Sequence, residues 1–255
     1  MKAVILCGGK GLRLGGDSSF PCKPLAKVGE MPILWHIIKI YMHYGINEFI
    51  FCLGHNGEAI KEYFLNFDWK NNDFKLRIGS NLKEIKFFNE LDNLNITFID
   101  TGLDTMTGGR IKRIQKYIDE DEFMLTYGDG VSDINLNQLI KFHRQKQKIA
   151  TVTGVKHRSS YGIIDVKDGI ATSFKEKPLQ DGWINGGFFI LRKEVFDYID
   201  NDETIWENEP LRNLVQDNQL AVYQHEGFWQ SIDTIKDLQI INEQWVNNDR
   251  QWVKW

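Results

Sequence analysis

After Lys2, an apolar segment of strand length, residues 3–7, opens the chain and leads directly into the glycines Gly8, Gly9 and Gly11. A strand that ends in a bare backbone loop constrains the fold, because open α/β sheets bind ligands at the carboxyl ends of their strands. Glycines let successive amide N–H groups converge on a phosphate, and Arg13 and Lys23 add positive charge nearby. This opening predicts an α/β fold with an anion-binding loop after the first strand.

Two common phosphate-binding loops do not fit the spacing of these glycines. Leu14 stands where the dinucleotide fingerprint needs its third glycine. Lys10 is followed by Gly11, whereas the Walker loop needs serine or threonine after its lysine. The alternative to a phosphate loop is a tight turn with solvated basic side chains, since glycine-rich turns are common.

Strand-like and helix-like segments alternate through the first half of the chain. Further strands are predicted over residues 48–53, 95–100 and 122–127, and helices over residues 32–42, 56–67 and 110–118. Repeated β-α-β alternation implies right-handed crossovers and a mostly parallel sheet. We therefore expect a Rossmann-like α/β fold, with a mixed, mostly parallel sheet flanked by helices.

The pattern changes beyond about residue 149, where short β segments cover residues 150–155, 161–166 and 171–174. We expect these segments to form a small antiparallel β excursion over the carboxyl edge of the sheet, as the second wall of a cleft. The polar segment 70–93 predicts a loop or a small hairpin. No repeat or linker divides the chain, so a single domain over residues 1–255 is expected.

Composition excludes several kinds of partner. The formal net charge is −4, so the chain lacks the basic excess that replaces counterions on nucleic acids. No apolar segment approaches a membrane span and no signal-peptide pattern is present, so we expect a cytoplasmic protein without membrane contact. Three scattered cysteines without CxxC pairing indicate neither a zinc site nor a disulfide framework.

The C-terminus is unusually rich in tryptophan, with Trp245, Trp252 and Trp255 close together. Tryptophan is enriched in interface cores, so we expect this tail to dock either on a neighbouring subunit of a homo-oligomer or back onto the fold. His36 lies on an apolar helical segment, which favours a core or interface histidine over a catalyst.

Two aspartates are candidates for binding a divalent cation. Asp129 follows a strand-like segment and stands between Gly128 and Gly130, and Asp233 opens the helical pattern of residues 235–245. Mg²⁺ prefers hard oxygen ligands, often one or two carboxylates together with substrate phosphates. The alternatives are an ordinary Asp-Gly turn for Asp129 and a helix N-cap for Asp233.

A third group of polar residues follows the short β segments. Glu176 and Lys177 precede Pro178, and Asn185 is followed by Gly186 and Gly187. This pattern is typical of a charged strand end beside a backbone that a ligand can approach closely. The alternative is a solvated charge pair and a loop.

Together these motifs resemble those of the sugar-1-phosphate nucleotidyltransferases, and within them the glucose-1-phosphate cytidylyltransferases. The resemblance covers nearly the whole chain. The runs that carry it are Gly8-Gly9 with Arg13 and Lys23-Pro24, residues 32–37, Asp100-Thr101-Gly102, Thr105-Met106-Thr107-Gly108-Gly109-Arg110, Tyr127-Gly128-Asp129-Gly130, Glu176-Lys177-Pro178, Asn185-Gly186-Gly187-Phe188-Phe189 and Gly227-Phe228-Trp229-Gln230 with Asp233-Thr234.

The resemblance implies transfer of CMP from CTP to the phosphate of a small acceptor, with release of pyrophosphate and Mg²⁺ as cofactor. The acceptor phosphate is already a nucleophile at neutral pH, so positioning and charge neutralisation are expected to supply most of the catalysis. It also implies that residues 1–148 mainly bind the nucleotide, and that residues 149–255 supply the acceptor side and the C-terminal helices.

Roles for individual residues also follow from the resemblance. Those implied to bind the nucleotide are Leu6, Gly8, Gly9, Gly11, Arg13, Lys23, Thr107, Gly108 and Arg110. Those implied to be catalytic are Arg13, Lys23, Asp129 and Asp233, with Asp129 and Asp233 as the Mg²⁺ ligands. Those implied to bind the acceptor are Tyr127, Glu176, Lys177, Asn185 and Gly186. For Arg110, a place near the cytidine end and a phosphate site across a subunit interface are both open.

The acceptor is the least constrained partner, because residues 156–162 depart from the pattern of the glucose enzymes. Glucose 1-phosphate, which would give CDP-glucose, is the expected acceptor. L-glutamine phosphate of a capsule phosphoramidate pathway and a heptose 1-phosphate are alternatives. A different base in the nucleotide, and a nucleotide-binding protein without turnover, are further alternatives.

Overall fold

The computed structural model describes residues 1–9, 21–79, 82–88, 93–157, 161–176, 179 and 182–255. Three residues with predicted roles, Gly11, Arg13 and Lys177, lie outside these ranges. The strands, in chain order, are β1 (Ala3–Leu6), β2 (Lys27–Val28), β3 (Met31–Pro32), β4 (Glu48–Leu53), β5 (Phe74–Gly79), β6 (Leu82–Phe87), β7 (Asn95–Asp100), β8 (Glu122–Tyr127), β9 (Gly130–Ser132), β10 (Ala150–Val155), β11 (Ile163–Lys167), β12 (Ile170–Lys175), β13 (Ile184–Arg192), β14 (Leu220–His225) and β15 (Trp229–Ser231).

The helices are α1 (Ile33–His43), α2 (Gly57–Leu65), α3 (Phe67–Asn71), α4 (Thr107–Arg113), α5 (Leu136–Lys146), α6 (Glu209–Gln216) and α7 (Ile235–Val246). Short 3₁₀ segments cover Lys23–Leu25, Gln115–Tyr117 and Lys193–Tyr198. The bounds of β4, β7 and β8 are those predicted from the apolar runs, and α1 is shifted by one residue from its predicted range.

Seven of the described strands form one sheet, in the order β14-β10-β13-β8-β1-β4-β7. Every neighbouring pair is parallel except the two that involve β13, which runs antiparallel to both β10 and β8. The predicted fold class, a mostly parallel mixed sheet flanked by helices, is confirmed.

Both faces of the sheet are buried. Successive side chains of a strand point to opposite faces, so one strand contributes to two apolar cores. Ala3 and Ile5 of β1 pack in one apolar core with α1, α2, α5 and α7. Val4 and Leu6 pack in a second core with α4 and α6. The first strand is therefore apolar along its whole length.

One predicted element is placed differently. Residues 150–155 were expected in the antiparallel excursion, but they form β10, a buried strand of the main sheet between β14 and β13. Their alternation of threonine with apolar residues predicts one solvated face, yet Thr151 and Thr153 are fully buried. Thr151 is accommodated because its hydroxyl makes a 2.7 Å hydrogen bond with Nδ1 of the buried His143.

Separate two-stranded hairpins extend from the body of the fold. β5 and β6 pair antiparallel, so the small hairpin predicted within residues 70–93 is confirmed. β11 and β12 form a second antiparallel hairpin, which corresponds to the predicted excursion without residues 150–155. No helix among the described residues is long and apolar enough to cross a membrane.

The tryptophan-rich tail docks back onto its own fold. Trp252 is fully buried, and its indole N–H donates to Nδ1 of His36 over 3.3 Å. Nε2 of His36 lies 2.9 Å from the carbonyl oxygen of Val28, which only accepts, so this nitrogen carries the proton. Neutral His36 therefore satisfies both neighbours, whereas a protonated ring would oppose the N–H of Trp252.

Acidification should destabilise this docked tail. Burial lowers the pKa of His36 below its usual 6.5, so at lower pH the unfolded chain binds more protons and stability falls. His36→Gln removes the titrating group. Between about pH 6.5 and 5, we expect it to flatten the pH dependence of the free energy of unfolding by up to about 1.4 kcal/mol per pH unit. Urea unfolding followed by tryptophan fluorescence measures this slope.

The exposed His157 supplies the matched control, His157→Gln. Burial also lowers the pKa of His143, to about 4. His143 is present in the wild type and in both variants, so it contributes equally to the pH dependence of all three free energies of unfolding. Equal slopes in the wild type and His36→Gln would rule out His36 as the group that couples pH to the tail.

Candidate active site

The candidate site lies where three central strands meet at one edge of the sheet. β1 and β8 are parallel and end at Leu6 and Tyr127, so the glycines that follow them are adjacent. The N–H of Gly128 donates to the carbonyl of Leu6 over 3.1 Å. Because β13 runs in the opposite direction, its first residues, beginning with Ile184, reach the same edge.

Lys23 joins the two predicted cation ligands. Its Nζ lies 2.7 Å from Oδ2 of Asp129 and 2.8 Å from Oδ1 of Asp233. The two carboxylates, on segments far apart in the chain, therefore face one position. The Lys23 side chain is 14% exposed, and those of Asp129 and Asp233 are 32% and 36% exposed, so the cluster is half-buried and reachable.

A two-stranded ladder brings the two aspartates together. β9 pairs antiparallel with β15, with Gly130 opposite Ser231, and Asp129 and Asp233 lie just beyond this pair. The N–H of Ile232 donates to the carbonyl of Asp129 over 2.9 Å and extends the register by one step.

The N-cap alternative for Asp233 is wrong. Thr234 is the N-cap of α7: its side chain accepts from the N–H of Asp237, and the carboxylate of Asp237 accepts from the N–H of Thr234. The capping box thus satisfies the helix start and leaves the Asp233 carboxylate facing Lys23.

Electrostatics keep Lys23 charged. Burial alone would lower its pKa, but the carboxylates of Asp129 and Asp233 outweigh that effect, and the pKa is raised above its usual value. The ammonium group shows that this position accepts a cation. Two carboxylates also match the hard oxygen donors that Mg²⁺ takes together with substrate phosphates. Among the described residues, no group of three or more histidine, cysteine or acidic side chains could hold a metal ion. A site in which substrate phosphates supply the remaining ligands does not require such a group.

The start of β13 forms a second wall of the site. Asn185 donates from Nδ2 to the hydroxyl of Tyr127 over 3.2 Å and accepts at Oδ1 from the N–H of Gly187 over 2.8 Å. Gly187 adopts φ +79°, and any Cβ there would overlap the Tyr127 ring. The carbonyl of Gly186 accepts from the indole N–H of Trp229 over 2.7 Å. This wall is thereby tied to β15.

Sequence reasoning missed Glu207. Its Oε1 accepts from the Tyr127 hydroxyl over 2.5 Å, and its Oε2 accepts from the Thr107 hydroxyl over 2.7 Å. Tyr127, predicted to bind the acceptor, and Thr107, predicted to bind the nucleotide, therefore donate to the same carboxylate. Nothing in the run Trp206-Glu207-Asn208-Glu209-Pro210 distinguishes Glu207 from the acidic residues usual before a helix.

The glycines at the start of α4 serve internal packing. The N–H groups of Gly108 and Gly109 donate to the carbonyl of Thr204 over 2.9 and 3.2 Å. A Cβ on Gly108 would approach the Thr204 carbonyl to 2.7 Å, and one on Gly109 would approach Asp202 to 2.5 Å. The predicted nucleotide contact of Gly108 would therefore have to be made beside a backbone that already binds residues 202–204. The hydrogen bonds from Gly108 and Gly109 to Thr204 hold the first turn of α4, which therefore begins three residues before the predicted helix.

Arg110 lies next to Gly8 and is 4% exposed. Its guanidinium donates to the carbonyls of Gly8 over 3.0 Å, Leu53 over 3.0 Å and Gly102 over 2.8 Å, and to the Thr101 hydroxyl over 2.8 Å. The structure thus shows Arg110 bound to the backbone at Gly8, Leu53 and Gly102. A direct contact with the nucleotide would require the side chain to leave these acceptors.

Three other described residues with predicted roles lie at or just after the ends of strands. Leu6 is 9% exposed at the end of β1, and Gly9 is exposed beside it. Glu176 is exposed at the end of the β11–β12 hairpin, beside Gly162. The structure brings together Lys23, Asp129 and Asp233, and separately Tyr127, Asn185 and Thr107 through Glu207.

Known proteins that resemble this chain are nucleotidyltransferases. A family model described as Nucleotidyl transferase matches residues 2–248. A Bacillus subtilis protein named probable glucose-1-phosphate cytidylyltransferase is 50% identical over 256 residues, which cover 100% of both chains. Glucose-1-phosphate cytidylyltransferase of Salmonella typhimurium is 43% identical over 257 residues, again 100% of both chains.

A solved structure shows the same fold. HddC from Yersinia pseudotuberculosis has a TM-score of 0.70 and 22% identity, and the match covers 96% of this chain and 99% of that one. The family match over nearly the whole chain, together with relatives of such high identity, shows that this chain belongs to the nucleotidyl transferase family.

Proposed function

We propose that this nucleotidyltransferase transfers CMP from CTP to glucose 1-phosphate, giving CDP-glucose and pyrophosphate. The observation that carries the proposal is the contact of Lys23 with both Asp129 and Asp233 at the carboxyl edge of the sheet. The names of the relatives at 50% and 43% identity support this choice of nucleotide and acceptor.

The reaction requires little covalent chemistry from the protein's side chains. An acceptor phosphate oxygen forms a bond to the α-phosphorus of CTP, while the bond from that phosphorus to the bridging oxygen breaks and pyrophosphate leaves with the electron pair. The attacking oxygen is already ionised, so no general base is required. Orientation and neutralisation of charge then supply most of the rate enhancement.

Lys23 is proposed to neutralise charge at the α-phosphate. Its raised pKa keeps it protonated at neutral pH, and its ammonium group lies between the carboxylates of Asp129 and Asp233. Asp129 and Asp233 are proposed to hold Mg²⁺. When bound, this ion would neutralise phosphate charge and orient the two substrates.

The acceptor is proposed to bind against the wall formed by Tyr127, Asn185 and Gly186. Their contacts with Glu207, Gly187 and Trp229 fix this wall before a ligand arrives. Arg110 is proposed to act indirectly, by holding the carbonyl of Gly8.

Pyrophosphate release tests the activity directly. Purified protein with Mg²⁺ is supplied with CTP, UTP, dTTP or GTP, each crossed with glucose 1-phosphate, a heptose 1-phosphate and L-glutamine phosphate. We expect the highest kcat/KM for CTP with glucose 1-phosphate. Higher kcat/KM for another pairing would reassign the substrates, and tight CTP binding without turnover of any pair would defeat the catalytic proposal.

Asp129→Asn and Asp233→Asn test the cation ligands. Each change removes one negative charge and keeps the side-chain size, so we expect kcat to fall about 100-fold or more. The Mg²⁺ concentration that gives half-maximal rate should rise in both variants, because each loses a charged oxygen ligand. The matched control is Asp249→Asn, at an exposed residue after α7. An unchanged Mg²⁺ dependence in both variants would show that these carboxylates do not bind the ion.

A further inference from the structure

Glu207 is held firmly although its side chain is exposed. It follows Trp206, whose indole is fully buried and packs against Phe189 of β13. The N–H of Trp206 donates to the hydroxyl of Thr107 over 2.9 Å, and that hydroxyl donates to Oε2 of Glu207 over 2.7 Å. Backbone and carboxylate are therefore both fixed relative to α4.

The carboxylate of Glu207 is bound by neutral donors. Its two oxygens accept from the hydroxyls of Tyr127 and Thr107, and within the described part of the chain no ion pair involves Glu207. The residue thus places a negative charge at the wall formed by Tyr127 and Asn185. Each carboxylate oxygen has a further lone pair that can accept a hydrogen bond from a ligand.

Glu207 also determines how Tyr127 presents its oxygen. Burial and the neighbouring Glu207 carboxylate raise the pKa of Tyr127, so the phenol keeps its proton and donates it to Glu207. The phenol oxygen is then left to accept from Nδ2 of Asn185, whose Oδ1 accepts from the N–H of Gly187. One chain of hydrogen bonds runs from Thr107 to the start of β13.

We propose that Glu207 is a positioning and specificity-determining residue, which orients Tyr127 and Asn185 for the acceptor and selects acceptors whose body beyond the phosphate is neutral and rich in hydroxyl groups. This inference rests on the proposed function and deepens it. A sugar hydroxyl can donate to the carboxylate, whereas a carboxylate on the acceptor meets a like charge that no described cation balances. Uronic acid 1-phosphates and phosphorylated amino acids are disfavoured by the same contact.

A matched pair of acceptors tests the selection. Glucose 1-phosphate and glucuronic acid 1-phosphate differ by one carboxylate, and kcat and KM are measured for both with saturating CTP. In Glu207→Gln we expect the KM for glucose 1-phosphate to rise about tenfold, while kcat and the KM for CTP stay within about twofold. The ratio of kcat/KM for glucose 1-phosphate to kcat/KM for glucuronic acid 1-phosphate should fall about tenfold. A merely structural role would not change this ratio.

Glu203→Gln is the control, since it removes the same charge from an exposed position four residues earlier. Tyr127→Phe is the second variant, because it removes the hydroxyl that Glu207 orients. Because Tyr127 and Glu207 share one hydrogen bond, the double variant should raise the acceptor KM by less than the product of the two single changes, whereas fully independent effects would multiply.

The outcomes separate this inference from the proposed function. Absence of pyrophosphate release by the wild type would defeat the proposed function. Normal turnover by the wild type, with an unchanged acceptor ratio in Glu207→Gln or with multiplying effects in the double variant, would overturn the role of Glu207 alone.

Discussion

The contact of one ammonium group with two carboxylates organises the functional edge of this protein. Lys23 and Asp233 are 210 residues apart in the chain, yet their side chains are 2.8 Å apart. Without a cation between them, Asp129 and Asp233 would repel each other and oppose the pairing of β9 with β15. Lys23 removes that repulsion. The segments that carry Lys23, Asp129 and Asp233 are thus held together by the attraction between one ammonium group and two carboxylates. The same cluster is suited to binding a polyphosphate with its metal ion.

A single reversed strand supplies the other half of the site. In a wholly parallel sheet the first residues of β13 would lie at the opposite edge from Gly128. Because β13 is antiparallel to β8, Asn185 reaches Tyr127 at the end of β8. Glu207 then connects this wall to α4 through Thr107. Direct hydrogen bonds therefore link Thr107, proposed for the nucleotide, to Tyr127 and Asn185, proposed for the acceptor.

Several residues of the family motif stabilise the fold rather than face the cleft. The N–H groups of Gly108 and Gly109 donate to the carbonyl of Thr204, and the guanidinium of Arg110 binds backbone carbonyls, among them that of Gly8. A glycine is required equally where a ligand approaches the backbone and where another segment of the chain does so. A motif read from sequence does not distinguish these two uses, since each excludes a Cβ.

Local sequence determined the elements whose cause is local. The apolar runs define β4, β7 and β8, and glycines after strands mark the edge where Lys23 and Asp129 lie. Tertiary structure decided the rest, because long-range pairing sets it. Thr151 of β10 is compatible with the core because His143 binds its hydroxyl. Arg110 points inward because Gly8, Leu53 and Gly102 offer carbonyls there, and Glu207 matters only because folding brings Tyr127 and Thr107 to it.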